Sequence, residues 1–361
     1  MIRAFVCVAV MFVSIAVGNA QEAEVKSVVP VKCWEYATGT DSARAVSSNA
    51  TSVFVISGAS TVKALNSIDG NEEWASELGG EIVSNIVAGR ERLYVVTSSI
   101  MANGVSAKVF TLRGLSRSTG LPVSSATLPT AESFRLIVEE EIVIALGSAG
   151  SVNAFDQSGS ALWNFAIGGK ITAGPVAFRS GITLAAEDKT LRQVMVKTGD
   201  TSERFPGKTS AISLARDANG TIFLGDDSGR LYRINGDTGR EDWNFRGGGR
   251  FESIEIVGSN VLAASVDNFV YLISGSSGDV IWKRRLPGRI FGKPLIFNEQ
   301  IFVAIIGELS LFILDATSGK ITGRLSSAGE LGAEPIKTFS GELIVNLSDK
   351  IAAYRPGECR K

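Results

Sequence analysis

Few residues in this chain could do chemistry. There is no histidine. That removes the commonest general base and the commonest metal ligand, and it excludes a Ser-His-Asp triad. The three cysteines, Cys7, Cys33 and Cys359, are far apart in sequence. Carboxylates are therefore the only plentiful acid–base groups. Asp226-Asp227-Ser228-Gly229 and Asn235-Gly236-Asp237 carry oxygens of the kind that calcium takes, but neither has EF-hand spacing. Asp and Gly between apolar runs are turn formers first. Gly247-Gly248-Gly249 has the flexibility to cradle a phosphate, yet no helical pattern follows it. It reads as a connection between two repeating units. The expectation is a chain with no catalytic residue, no cofactor and no metal site.

The elements that carry these residues repeat. Arg230–Phe245 (RLYRINGDTGREDWNF) is a short apolar strand, a turn rich in Asn, Asp and Gly, and a second strand holding Trp243. Glycine and asparagine supply the positive φ angles of such a turn. The same turn glycine stands four residues before tryptophan in Gly70/Trp74, Gly159/Trp163 and Gly278/Trp282. Gly120, Gly199 and Gly319 keep the turn but place Ser124, Glu203 and Gly323 in the tryptophan slot. With Trp34, the slots are spaced by 40, 50, 39, 40, 40, 39 and 41 residues. In one unit, 253–257, 261–266, 269–274 and 280–284 read as four strands separated by short turns. A period near forty with four strands per unit predicts an all-β propeller of four-stranded antiparallel blades.

Composition sets the compartment and the class of partner. Lys plus Arg (36) nearly balances Asp plus Glu (37), so no global charge favours nucleic acid. Arg3, the apolar run 4–17 and Gly18-Asn19-Ala20 read as a signal peptide, residues 1–20, cut after Ala20. That run is shorter than the ~20 residues a spanning helix needs. No transmembrane segment is expected in the mature chain. Residues 21–30 read as a lead-in and 31–361 as one monomeric domain. An exported chain meets an oxidising compartment, which permits a disulfide.

The pattern Ala-x-Asp-x-x-Thr-Gly-x-x-x-Trp resembles the tryptophan-docking repeat of PQQ-type (quinoprotein alcohol dehydrogenase-like) β-propellers. Ala64, Gly70 and Trp74 carry it, as do Thr238, Gly239 and Trp243, and Gly278 and Trp282. Asp315, Ser318 and Gly319 carry it without the tryptophan. The resemblance implies that Trp34, Trp74, Trp163, Trp243 and Trp282 form a girdle packing each blade against its neighbour. Enzymes of that family bind pyrroloquinoline quinone with vicinal cysteines and calcium; this chain has no vicinal cysteines. Among exported, non-catalytic members it resembles the BamB type, the propeller subunit of the outer-membrane β-barrel assembly machinery. LGDDSGRLYRINGDTGR and AEPIKTFSGELIVNLSDKIAAYR carry that resemblance. Those relatives usually have a cysteine directly after the signal peptide, where this chain has Gln21.

Eight slots imply eight blades, the last one split. Aligned on the repeat, Ala353 takes the first motif position and Lys361 the ninth; Cys33 and Trp34 supply the tenth and eleventh. The N-terminal strand would then close the last blade and bring Cys33 close to Cys359. A disulfide is expected there, the alternative being two free thiols at a frayed edge.

Two surface features point to partners. The 50-residue unit carries an insertion at about 98–107, with Ile100 and Met101 in a loop. Arg284, Arg285 and Arg289, with Arg246 and Arg250 in the neighbouring connection, would gather as a cationic patch on one face. The expected function is an exported, non-catalytic scaffold for protein partners, with envelope assembly components as the candidate partners. The alternative is a degenerate quinoprotein-like propeller binding a small ligand or polysaccharide at its central channel.

Overall fold

A computed structural model describes residues 29–38, 43–100, 107–206, 209–297, 299–308, 310–326 and 331–360. Residues 1–20, expected to be a signal peptide, most of the expected lead-in segment and Met101 lie outside the described residues. Eight antiparallel sheets follow one another along the chain. Blades I to VII span 43–77, 81–128, 134–166, 171–206, 211–246, 251–285 and 290–326. Blade VIII joins 336–355 to the N-terminal strand Val31–Ala37. The fold is the expected eight-bladed β-propeller.

Apolar pattern sorts the strands within each blade. Second and third strands such as Ser52–Ser57 and Ser310–Asp315 are buried at every residue. They lie between neighbouring blades and need apolar side chains on both faces. Fourth strands such as Glu72–Glu77 and Ala161–Ala166 alternate between exposed and partly buried residues, as expected of an outer edge. First strands lie against one another in blades I to III and again in blades IV to VII, which puts them at the axis.

Two blades depart from the repeat at the axis. In blade II the first strand breaks into Glu81–Ile82 and Val87–Ala88. Between the pieces, Val83 O accepts from Phe134 N at 2.9 Å, and Asn85 exchanges hydrogen bonds with Leu136. Val83 N still donates to Val96 O of its own blade at 2.9 Å, so that stretch bridges blades II and III. In blade VIII the first strand is only Ile336–Lys337. The insertion of blade II also differs from the expected loop. Arg92–Ile100 and Lys108–Ser116 run as nine-residue strands paired out to Ile100 and Lys108. Ser98–Ile100 of the insertion thus continue a strand, because each added pair satisfies two backbone groups that a loop would leave to solvent.

All eight blades share a β-bulge beside the tryptophan slot. Ala64 pairs with Trp74 and Leu65 with Glu72, so Glu73 is the extra residue. Val123, Leu162, Ser202, Asp242, Ile281, Thr322 and Cys33 occupy the same bulge. A bulge re-aims the side chain beside it, here toward the next blade. Each indole N–H then donates to a carbonyl of that blade's hairpin turn: Trp34 to Ser67, Trp74 to Arg117, Trp163 to Val196, Trp243 to Gly275 and Trp282 to Ala316, all at 2.9–3.1 Å.

The turn glycine lies three residues after that carbonyl, with φ between 65° and 80° in all five. A Cβ on Gly120 would sit 2.4 Å from Trp74 Cε3; at Gly70, Gly199, Gly278 and Gly319 the nearest indole atom would be 2.4–2.8 Å away. Glycine is thus required twice, for its left-handed backbone and for the face it leaves open to the neighbour's indole.

The closing blade keeps the register of the others. Ala353 stands opposite Trp34, as Ala64 stands opposite Trp74. No covalent turn joins those two strands. Instead Cys33, the bulge residue, is bonded to Cys359 with the Cα atoms 5.4 Å apart. A second tie lies at the same end of the blade. The buried carboxylate of Glu342 accepts from Thr338 Oγ1 at 2.5 Å and from Ser340 Oγ, and it faces Arg355 and Arg360. Burial alone would raise its pKa. The hydroxyls of Ser340 and Thr338, with Arg360, outweigh burial and hold it below the ordinary 4.5.

Three predictions follow from these contacts. Trp74→Ala should cost roughly 3–5 kcal/mol. Gly120→Ala should cost the left-handed penalty of about 1–2 kcal/mol plus the indole clash. In the Trp74→Ala background only the first part should remain, so a double-mutant cycle in urea should show strong coupling. Additive costs would refute the dock.

Reducing Cys33–Cys359 should lower the melting temperature. The chain-entropy limit for so long a loop is about 5 kcal/mol. The Cys33→Ser/Cys359→Ser variant should melt with the reduced protein and ignore dithiothreitol.

Glu342→Gln should destabilise by about 1–3 kcal/mol at neutral pH. A depressed folded pKa stabilises above the unfolded value, and this contribution fades as pH falls through the folded value. The gap between variant and wild type should therefore close as pH drops below 4.5. A gap that stays constant in acid-titrated melts would contradict it.

Candidate interaction surface

The two ends of the blades carry different connections. First-to-second and third-to-fourth turns share one face: a Cβ on Gly236 would sit 1.9 Å from Gly220 O. Second-to-third turns and inter-blade connections share the other, where Gly248 N donates to Asp267 Oδ2 at 3.1 Å. The tryptophan docks use the first of these faces through their turns. The second, the connection face, carries Ile100 at the end of the long hairpin and the arginines of the connections after blades V and VI.

Each inter-blade connection runs from an outer strand back to the axis. Arg246 and Arg285 end the outer strands of blades V and VI; Arg250 and Arg289 precede the inner strands of blades VI and VII. The two pairs occupy equivalent places, so they form two radial rows. Arg250 Nη2 and Arg289 Nη2 both bond Glu252 Oε1 at 2.8 Å. Burial would raise the pKa of Glu252, but the hydrogen bonds and charges of Arg250 and Arg289 outweigh it and hold the carboxylate ionised below its usual range. Arg246 and Arg285 are exposed, and among the described residues neither has a hydrogen-bond or ion-pair partner.

Arg284 does not join them. Strand alternation turns it away from Arg285, and its Nε donates to Gly319 O at 2.7 Å, beside the ring of Trp282. It is part of the dock between blades VI and VII. Nor does the structure bring Ile100 to the arginines, since blade II lies three blades from blade V. Ile100 is 70% exposed. It neighbours a cleft of about 860 Å³ floored by Val83, Phe110, Ala131 and Ile171 and edged by Lys108 and Lys170. Two residues of this face escaped the sequence reading. Ile306, in the second-to-third turn of blade VII, is 56% exposed. Glu252 looks like any strand residue until the fold places it between two arginines.

The other oxygen- and glycine-rich segments are structural. Asp226 is fully buried and accepts from Ser228 N, Ser228 Oγ, Arg230 N and Tyr232 Oη. Asp267 plays the same part in blade VI, accepting from Phe269 N and Tyr271 Oη. Burial, then Asp267, pushes the Tyr271 phenol up to about 12. Among the described residues no cluster of carboxylates and thiols has the arrangement of a metal site. At the axis, a smaller cleft of about 270 Å³ opens between the first strands of blades III and IV, lined by Phe134, Arg135, Thr172 and Pro175.

Residues 148–271 and 247–358 match the family described as outer membrane protein assembly factor BamB, from blade III to the closing blade. The assembly factor BamB of Nitrosomonas eutropha is 28% identical over 111 residues, 31% of this chain and 27% of that protein. Tetrathionate hydrolase of Acidithiobacillus ferrooxidans is 33% identical over 86 residues, 23% of this chain and 17% of that protein. The aligned stretches thus span less than a third of either relative.

Solved structures agree over nearly the whole ring. BamB from Moraxella catarrhalis superposes with a TM-score of 0.71 at 16% identity, covering 92% of this chain and 99% of that one. The computationally designed protein Ika8 gives 0.74 at 12%, covering 90% and 99%, and Saccharomyces cerevisiae Sqt1 gives 0.72 at 14%, covering 91% and 99%. At such identities these three speak for the fold alone. The repeat, its docks and the match across blades III to VIII together place this chain in the BamB-like family of PQQ-type β-propellers.

Proposed function

We propose that this protein is an exported, non-catalytic scaffold that holds protein partners during outer-membrane protein assembly. The observation that carries the reading is that the tryptophan docks leave the connection face free, although the docking face also exposes Phe339, Leu121 and Ile68. Turns, bulges, tryptophans and the Asp226 and Asp267 carboxylates are engaged in building the ring. The connection face meanwhile presents Ile100, Ile306, Arg246 and Arg285 to solvent. Side chains left exposed on a rigid scaffold are the usual material of recognition. The family description supports the setting, an assembly factor of the outer membrane. Export is supported by the leader-like N-terminus and the Cys33–Cys359 bond, which persists in oxidising compartments. The chain has no histidine, and the Asp226 and Asp267 carboxylates are taken up by donors of their own turns, which supports a non-catalytic role.

The axial cleft with Arg135 favours one other reading, a small anionic or sugar ligand held at the channel. Photo-crosslinkers placed at Ile100 and Ile306 in envelopes of the native host separate the two. The scaffold reading expects crosslinks to components of the β-barrel assembly machinery. Empty crosslinks, together with thermal stabilisation by a sugar or quinone that Arg135→Ala abolishes, would replace it with the channel reading.

A further inference from the structure

We propose that the connection face of blades V and VI is the docking surface for an acidic, extended segment of a partner protein. This rests on the scaffold reading and names the chemistry of the partner. Its basis is a duplication within the repeat. Three residues after the tryptophan slot stand Arg246 in blade V and Arg285 in blade VI; seven residues after it stand Arg250 and Arg289. Blades V and VI alone have arginine at both places. Blade I has Glu77 and Glu81 there, and blade III has Ala166 and Lys170. The doubled Arg-x-x-x-Arg is therefore a local feature, not a property of the repeat or of a chain whose formal net charge is −1.

The fold turns this doubling into a shape. Each connection runs radially, so the outer members, Arg246 and Arg285, stand at the rim of adjacent blades. The inner members, Arg250 and Arg289, meet near the axis on one oxygen of Glu252, each at 2.8 Å. Their Nη2 atoms thus lie within twice that distance of each other. Glu252 holds two guanidinium groups together that would otherwise repel. Three other acids lie in the second-to-third turns beside the rows: Asp267, bonded by Gly248 N, Phe269 N and Tyr271 Oη, the exposed Asp227 and the half-buried Glu308.

Glu252 engages the two inner guanidinium groups, and among the described residues Arg246 and Arg285 keep their donors free for further anions. Guanidinium groups bind carboxylates through two parallel hydrogen bonds, which favours several side-chain carboxylates spaced along an extended chain. Glu252 stands in for the first of them. A strand crossing the tops of both blades would meet one radial row after the other.

The test uses a labelled oligo-glutamate peptide and the full mature chain, read by fluorescence anisotropy. Binding should be measurable at low salt and weaken as salt screens the arginines. Arg246→Glu/Arg285→Glu should weaken it by about tenfold or more, without changing the melting temperature, since among the described residues neither side chain has a partner to lose. Arg240→Glu, exposed on the opposite face, should leave it unchanged. Glu252→Gln removes the built-in competitor and should tighten it severalfold.

Unchanged affinity in the double reversal would overturn the proposal. So would a single-stranded oligonucleotide or phosphatidylglycerol vesicles binding these arginines more tightly than the peptide. The two readings fail separately. Crosslinks to assembly components that survive the double reversal would remove this surface and leave the scaffold. Arginine-dependent peptide binding without any captured assembly component would do the reverse.

Discussion

The ring depends on an indole laid over a glycine. Each tryptophan leaves its own blade beside a bulge, bonds a turn carbonyl of the next blade and covers the glycine three residues further on. The contact is directional, from blade n to blade n+1, so it fixes the order of blades as well as holding them. It also explains why turn and tryptophan recur at one spacing. The two residues of a repeat serve different interfaces: its glycine receives the preceding blade, and its tryptophan reaches the following one. A change at either therefore acts on a boundary between blades rather than on a single hairpin.

Three interfaces lack the indole, and each is held otherwise. Between blades II and III the slot is Ser124. Its Cβ would be 3.4 Å from a Cβ on Gly159, while Arg92 Nη1 donates to Gln157 O in the shortened turn. Between blades IV and V, Arg216 reaches into the preceding blade. Its guanidinium lies 3.8 Å from the Phe178 ring centre and donates to Thr183 Oγ1 and Gln193 Oε1. Between blades VII and VIII the slot is Gly323, and the receiving blade has no covalent turn to dock. There the disulfide closes blade VIII itself, and Lys337 of that blade reaches back over the Phe297 ring of blade VII and donates to Ile296 O. A cation over an aromatic ring or a guanidinium on a carbonyl can replace an indole because all of them offer a flat surface and an N–H donor.

Much of this was legible in the sequence because the repeat acts as a ruler. Counting from Gly70 to Trp74 and onward gave eight blades. Aligning Ala353, Cys33 and Trp34 on the same motif placed both cysteines in the closing blade, and the register Ala353–Trp34 is the one found. What stayed hidden depends on which blade a side chain faces. Arg284 and Arg285 are neighbours in sequence, yet strand alternation sends one to Gly319 and leaves the other exposed. Glu252 gave no signal, since its role comes from Arg250 and Arg289, which precede the inner strands of successive blades. The extension at 98–107 could be counted but not shaped: pairing with the partner strand, rather than local composition, carries the strands out to Ile100 and Lys108.

These constraints also say where function can vary. The face that carries the docking turns cannot change freely, because five of its turn glycines lie under a neighbouring indole. The connection face is bound less tightly to the repeat. Its connections need only return the chain to the axis, and its turns need only satisfy their own backbone, as Asp226 and Asp267 do. Charge can therefore accumulate there without disturbing the ring, as it has at two equivalent positions in two adjacent blades. The same freedom lets blade II lengthen its hairpin while keeping Trp74 on Gly120. A propeller built on these docks separates what holds it together from what it presents.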